Sequence, residues 1–361
     1  MKLGDITRES RETFKGDKTG IPIVGLEHLI PQELTFSTYD VDTDNTFTKM
    51  FHKGQILFGR RRAYLKKAAV AEFDGICSGD ITVIEAIPGK VDKDLLPFII
   101  QNDALFDYAV SRSAGGLSPR VKWEQLSDYE INLPPLEEQK VLADKLWAAY
   151  RLKEGYKKLL CATDEMVKSQ FIEMFGDAEK KPFVDVCINK GEYGSNSPAD
   201  DYDGNIRYVR ITDITEEGNL NSLVVSPRKV EEKYMLLRDD LLFARTGNTV
   251  GKTYLHRSGR MIFAGYLIRY RLNNKLMLPQ FAFAYTHTNQ YYDWVEKIKK
   301  VGAQPNISAA QYDSMPIPVP SMAKQIEFVS IAKQADKSKS YVRIAFKNLE
   351  SMLGYCIRQI S

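Results

Sequence analysis

The sequence predicts an α+β fold. Two similar mixed α/β domains are separated by two long helices, which pack as an antiparallel coiled coil in a pseudo-two-fold arrangement. Three observations predict it. Short blocks recur at an offset of 185 or 186 residues; a proline-free amphipathic stretch lies between the copies; and the same helical texture returns at the C-terminus. Pro22-Ile23-Val24-Gly25-Leu26 is echoed by Arg207-Tyr208-Val209-Arg210-Ile211, and Gly54-Gln55-Ile56-Leu57-Phe58-Gly59-Arg60 by Asp239-Asp240-Leu241-Leu242-Phe243-Ala244-Arg245. Pro119-Arg120-Val121 with Ile131-Asn132-Leu133-Pro134 returns as Pro305-Asn306-Ile307 with Ile317-Pro318-Val319-Pro320. One period is half the chain, so this is a duplicated two-part unit. A solenoid would repeat every ~20–50 residues.

Residues 1–134 read as the first mixed domain. Gln55 to Phe58, Ala68 to Phe73 and Asp80 to Ala86 are short apolar or β-branched runs bounded by glycines, which suits strands. Residues 94–112 suit a helix. Residues 135–176 are a helical spacer. From Glu137 to Phe175 there is no proline, and Leu142, Leu146, Ala149, Leu152, Tyr156, Leu159 and Met166 fall mostly three or four apart, as on one helix stripe. Pro134-Pro135 and Gly176 mark its ends. About 39 residues at ~1.5 Å each make a rod of about 58 Å.

Residues 177–319 are the second mixed domain. Its clearest strand is 262–272, where Tyr266, Ile268, Tyr270 and Leu272 alternate with Leu267, Arg269 and Arg271. That alternation predicts one buried face and one face carrying arginine. A helix is expected over 279–300. Residues 320–361 form the second helical spacer, with a stripe through Ile326, Val329, Ala332, Ala335, Val342, Ala345, Leu349, Met352, Cys356 and Ile360. Each long helix starts near a glutamine, Gln139 or Gln325. Packing the two stripes together buries both and carries the two domains to opposite ends. The alternative is two separate helices, each lying on its own domain.

With 361 residues, 43% hydrophobic and 27% charged, the chain has room for two cores and an ordinary globular composition. No apolar run approaches the ~18–20 residues that span a bilayer, and the first residues lack a signal-peptide core, so a cytoplasmic protein is expected. A net charge of +3 excludes a histone-like protein but leaves room for local basic surface. Cys77, Cys161, Cys187 and Cys356 are far apart, and the four histidines are not spaced as ligand pairs. Reduced, mostly buried thiols and no metal site are expected.

Gly247-Asn248-Thr249-Val250-Gly251-Lys252-Thr253 resembles a phosphate-binding P-loop but holds three residues, not four, between its first glycine and Gly-Lys-Thr. A turn presenting Arg245, Asn248 and Lys252 to a phosphate backbone fits better. Gly59 to Lys67 contains Arg60, Arg61, Arg62, Lys66 and Lys67, no acid, and the aromatic Tyr64. Such a stretch can neutralise DNA phosphates, and arginine also pairs with guanine edges; a solvated basic loop is the plain alternative. Arg60 matches Arg245 in the other copy. Arg207, Arg210 and Asp213 match Pro22, Gly25 and His28, so the frame repeats while side chains differ. Two readers of different sequences would show this, and so would simple drift between copies. Ser113 to Lys122 and Lys297 to Asn306 are paired loops flanked by basic residues, candidates for DNA contact or for turn chemistry. No catalytic constellation is evident: there is no adenine-flipping motif and no cofactor loop. Glu179-Lys180-Lys181 has nuclease letters but is read as linker.

In this order, and twice over, the motifs resemble the specificity subunit of type I restriction–modification systems. The resemblance rests on Leu133-Pro134-Pro135-Leu136-Glu137-Glu138-Gln139 opening a long helix. It rests also on Asp240-Leu241-Leu242-Phe243-Ala244-Arg245-Thr246-Gly247 with Gly251-Lys252, and on Gln304-Pro305-Asn306-Ile307-Ser308. One departure is Gly59-Arg60-Arg61, where the pattern expects Arg-Thr-Gly. The resemblance implies two target-recognition domains, each reading half of a split double-stranded DNA site. It implies helices that set the spacing and hold two methyltransferase subunits, with restriction subunits joining them. S-adenosylmethionine would sit in the methyltransferase, and this chain would be non-catalytic with no cofactor. Candidate readers or phosphate clamps are Arg60, Arg61, Arg62, Tyr64, Arg120 and Lys122 in the first domain, and Arg210, Arg245, Asn248, Lys252 and Asn306 in the second. The rival readings are a stand-alone site-specific DNA-binding regulator and a P-loop nucleotidase.

Overall fold

A computed structural model describes residues 1–299, 305–358 and 360. By contact the chain divides into two units: Met1–Lys157 with Arg343–Ser361, and Lys158–Val342. Residues 1–134 fall in the first unit and residues 177–319 in the second.

The first unit is built on an antiparallel sheet in the order Thr7–Glu9, Ile81–Ala86, Ile56–Gly59, Ala68–Val70. A second sheet pairs Ile23–Val24 parallel to Gly75–Cys77, with Lys49–Phe51 antiparallel on the other side. Strand Ile56–Gly59 is buried along its whole length because both faces are covered. Ile56 and Phe58 enter a core with Phe98, Phe106 and Leu146, while Leu57 enters a second core with Val24, Phe51 and Val83. Burial on both faces is why the strand reads as an unbroken apolar run. Each large side chain so buried stabilises the fold by roughly 1.5–3 kcal/mol.

The second unit repeats this design. Its sheet runs Thr253–Leu255, Leu241–Ala244, Leu267–Tyr270, Glu192–Tyr193. Leu241 and Phe243 face one core and Leu242 and Ala244 another. The registers match across the copies. Phe58 sits opposite Thr82 as Phe243 sits opposite Ile268, and Ile23 pairs with Ile76 as Tyr208 pairs with Ile262. Smaller antiparallel pairs join Ala199–Asp201 to Val225–Pro227 and Lys180–Pro182 to Pro316–Pro318. The second of these corrects the linker reading of Glu179-Lys180-Lys181.

Three local expectations are corrected. The strand expected over 262–272 is two, Met261–Phe263 and Leu267–Tyr270, parted where Gly265 N–H donates to Ser195 O. Arg269 does not lie on an open face. It is 4% exposed, ion-paired with Glu192 and Asp240 and set over the Phe263 ring, because that face is covered as well. Each late helix is also two. Leu96–Ile100 and Asp103–Arg112 part at Asn102, whose side chain caps the second by accepting from Ala104 N–H. Pro279–Tyr285 and Asn289–Lys299 part at Thr288, whose hydroxyl accepts from Tyr291 N–H. Residue 300 lies outside the described residues.

The long helices are Leu136–Phe175 and Met322–Arg358. Each opens on a buried glutamine doing the same task. Gln139 accepts from Asp92 N–H (2.9 Å) and donates to Pro134 O (2.8 Å). Gln325 accepts from Leu278 N–H (2.9 Å) and donates to Leu276 O (2.9 Å) and Pro320 O (3.0 Å). In the first unit Leu146, Tyr150, Leu349, Leu353 and Ile360 share one core. In the second, Phe171, Phe175, Phe328 and Val329 do so. Lys153 pairs with Glu350 (3.6 Å) and Lys339 with Asp164 (2.6 Å). Residue number falls along one helix as it rises along the other, so the pair is antiparallel.

The expected stripe is wrong in part: Leu152, Leu159 and Met166 on the first helix and Ile326 and Met352 on the second are exposed. The buried seam passes through Ala143, Leu146, Tyr150 and Lys153. Residues adjacent in sequence are turned by about 100°, so Leu152 points away from the seam that Lys153 occupies. Against the expectation of mostly buried thiols, only Cys77 is fully buried; Cys187 and Cys356 are half-buried and Cys161 is exposed. Burial pushes the Cys77 and Cys187 thiols up to about 12. Among the described residues no helix is long and apolar enough to cross a membrane.

Candidate nucleic-acid interface

In each unit the end of a core strand runs into a tight 3-10 turn, and a second segment bonds back to it. In the first unit Ile56–Gly59 leads through Arg60, Arg61 and Arg62 to Ala63–Leu65. Arg62 N–H donates to Pro119 O (2.8 Å) and Val121 N–H to Arg60 O (3.0 Å). In the second, Gly247 N–H donates to Pro305 O (3.0 Å) and Ile307 N–H to Arg245 O (2.8 Å). Arg61 bridges Arg120 where Thr246 bridges Asn306. The frame is therefore one frame, built twice, carrying different side chains.

The frame also explains the departure in the first copy. Gly247 and Gly251 have φ of 67° and 89°, and the matching Arg62 and Lys66 have φ of 53° and 52°. A left-handed backbone costs a non-glycine residue roughly 1–2 kcal/mol. The first copy keeps the turn and carries that cost.

Three of the six first-unit candidates, Arg61, Arg62 and Arg120, converge on Asp80 and Ser118. Asp80 accepts from Arg120 Nε (2.6 Å) and Nη2 (3.1 Å) and from Arg61 Nη1 (3.4 Å). Ser118 Oγ accepts from Arg61 (3.1 Å) and Arg62 (3.4 Å). Arg120's hydrogen bonds and charge, with help from Arg61, hold Asp80 below the usual carboxylate range. The Nε atoms of Arg60 and Arg61 are shielded without an acceptor. Tyr64 is exposed on the 3-10 turn. Lys122 is exposed at the start of the short helix Trp123–Leu126, where Gln125 accepts its N–H, as Gln311 accepts that of Ser308.

In the second unit Arg245 lies 4.7 Å over the Tyr193 ring and donates from Nε to Asn306 Oδ1 (3.3 Å). Asn248 is exposed on the turn. Lys252 is mostly covered and ion-paired with Glu216 (2.8 Å). Arg210 grips its own turn, donating from Nε and Nη2 to the buried Asp213, in the place where His28 accepts from Gly25 N–H. Gln304 and the middle of the 297–306 loop lie outside the described residues. The sequence reading missed Asp80, whose neighbours in sequence carry no basic or motif signal. The P-loop reading fails on geometry as well as spacing: Lys252 leads into strand Thr253–Leu255, not into a helix whose N-terminus could hold phosphate. Glu27, His28 and Asp40 come together in the first unit. There His28 Nδ1 accepts from Gly25 N–H (2.9 Å).

Comparisons with known proteins bear on the family and the fold. A curated relative, the EcoDI type I restriction enzyme specificity subunit of Escherichia coli, is 33% identical over 89 residues, 25% of this chain. The alignment spans only 19% of that relative's length. The S subunit of a type I restriction–modification system from M. genitalium superposes with a TM-score of 0.60 at 12% identity, covering 99% of this chain and 94% of that one. A chain from a study of complex assembly and conformational transition in a type I system gives a TM-score of 0.58 at 17% identity, covering 99% and 96%. These two show the shared fold. The model of the type I restriction modification DNA specificity domain matches residues 1–160 and again 176–342, and the chain belongs to that family.

Proposed function

We propose that this chain is the non-catalytic, sequence-specific DNA-binding subunit of a type I restriction–modification complex in the cytoplasm. Each unit reads one half of a bipartite double-stranded site. The observation that carries this is the doubled frame: identical backbone bonds hold Arg61 and Arg120 in one copy and Thr246 and Asn306 in the other. A constant frame with exchanged side chains suits two readers of different sequences.

Two methyltransferase subunits are the partners proposed for the long helices, with restriction subunits joining the complex. Exposed Leu159 and Met166 of the second unit lie seven residues apart on one helix, the spacing a partner helix would use. S-adenosylmethionine is assigned to the methyltransferase, and this chain is assigned no cofactor. The test is binding of the purified full chain to a randomised duplex pool, together with methyl transfer with and without a co-expressed methyltransferase. A two-part motif should be enriched, and methylation at it should need the partner. Methyl transfer by the chain alone, or binding without any sequence preference, would refute the proposal.

A further inference from the structure

The functional reading leaves open which of the candidate cations touch bases and which touch phosphates. The first unit holds one arginine differently from the rest. Arg120 is gripped side-on by Asp80 through Nε and Nη2, and its Nη1 donates to Ser118 O (3.3 Å). A guanidinium has five N–H donors. Three are engaged here, so one N–H on each terminal nitrogen is left, enough for a two-donor fork. The side chain is still 41% exposed, whereas Asp80 is 21% exposed. A fork of two parallel donors, fixed in direction, matches the O6 and N7 acceptors of guanine. A phosphate also accepts such a fork, but from many directions, so it does not require the side chain to be fixed in one.

From this arrangement we infer that Arg120 is a guanine-reading residue of the first unit and that Asp80 is its positioning residue. Arg62 and Lys122 lack that bidentate carboxylate hold and serve as phosphate contacts. The inference rests on the DNA-binding reading above. At the position matched to Arg120 the second unit lacks this device, although Arg210 is held side-on by Asp213 elsewhere in it. Asn306 stands where Arg120 stands and Tyr266 where Asp80 does, as the matched bonds Arg60 N–H to Asp80 O and Arg245 N–H to Tyr266 O show. The two half-sites therefore differ at the matched base pair.

The test is selection of bound duplexes from a randomised pool by the full chain and by Arg120→Ala, Arg120→Lys and Asp80→Asn, with salt titrations on the selected site. Wild type should select one guanine that Arg120→Ala selects less well, by roughly 5- to 140-fold. Arg120→Lys should not restore it, because an ammonium offers no planar fork. Asp80→Asn should relax the same base pair alone while nonspecific affinity does not fall, since a negative charge has been removed. Unchanged preference at the other half-site shows that each variant is folded. A preference at every position unchanged in Arg120→Ala, with a salt slope lower by ~0.9, would make Arg120 a phosphate contact and overturn the inference. Uniform weakening at both half-sites in Asp80→Asn would make Asp80 merely structural. Absence of any sequence preference in wild type would instead overturn the functional reading itself.

Discussion

Replacing Gln325 by alanine should cost more stability than replacing Gln139, although the two residues occupy matched positions. Gln325 is 0% exposed and makes three hydrogen bonds, to Leu278 N–H, Leu276 O and Pro320 O. Gln139 is 3% exposed and makes two, to Asp92 N–H and Pro134 O. Each is worth about 1 kcal/mol net. Gln325→Ala should then lose about 3 kcal/mol and Gln139→Ala about 2 kcal/mol. In units of this size a kilocalorie lowers the melting temperature by roughly 2–4 °C, so shifts of roughly 6–12 °C and 4–8 °C are expected. Calorimetry measures the shifts. Hydrogen exchange then locates them: the Leu278 amide should lose protection in the first variant and the Asp92 amide in the second. A reversed ordering, or a loss under about 0.5 kcal/mol in Gln325→Ala, would refute the reasoning that these glutamines hold the strand-to-helix junctions.

Charge reversal at Lys339→Asp should destabilise the second unit, and adding Asp164→Lys should recover part of the loss in thermal melts; no recovery would mean the pair contributes nothing directional. His52, raised by its bonds to Asp74 and then Glu12, supports the first unit below its ordinary 6.5, and that support is lost as pH rises through its raised value. His256, lowered by burial, acts oppositely: its contribution is full above 6.5 and lost as pH falls. Hydrogen exchange between about pH 5.5 and 8 should therefore show opposite trends around the two residues. Lys252→Ala should flatten the salt dependence of DNA binding by ~0.9; an unchanged slope would leave Lys252 with Glu216 as its sole partner. Exchanging residues 177–319 for those of another family member should change one half of the recognised site, as methylation mapping would read out, and loss of both halves in a folded exchange would show that the readers are not independent.

The duplication was legible because strand registers and turn bonds depend on backbone spacing, which sequence preserves as an offset. The long helices were legible for a similar reason, since nothing between Glu137 and Phe175 interrupts them. Which face of them is buried was not. Leu152 and Met166 are as apolar as Leu146, and only the tertiary pairing of Lys153 with Glu350 reveals that the seam tolerates charge. Arg269 misled for the same reason: its charge suggested solvent, but Glu192 and Asp240 satisfy it inside. At the candidate interface, Arg60, Arg61, Arg62 and Arg120 were singled out as candidates by charge and matched position. Asp80 was invisible, because a carboxylate that orients a guanidinium is distant in sequence and opposite in sign.

The ion pairs between the long helices tie the two copies together in heredity. Lys153 and Asp164 belong to the first copy, and Lys339 and Glu350 are their counterparts in the second. Each bridge takes its lysine from one copy and its acid from the other. The loops of the candidate interface are free to drift apart, but these four positions are coupled, since a change of sign in either copy strands a partner encoded half a gene away. Covariation across relatives should therefore link 153 with 350 and 164 with 339, while positions such as 120 and 306 vary on their own.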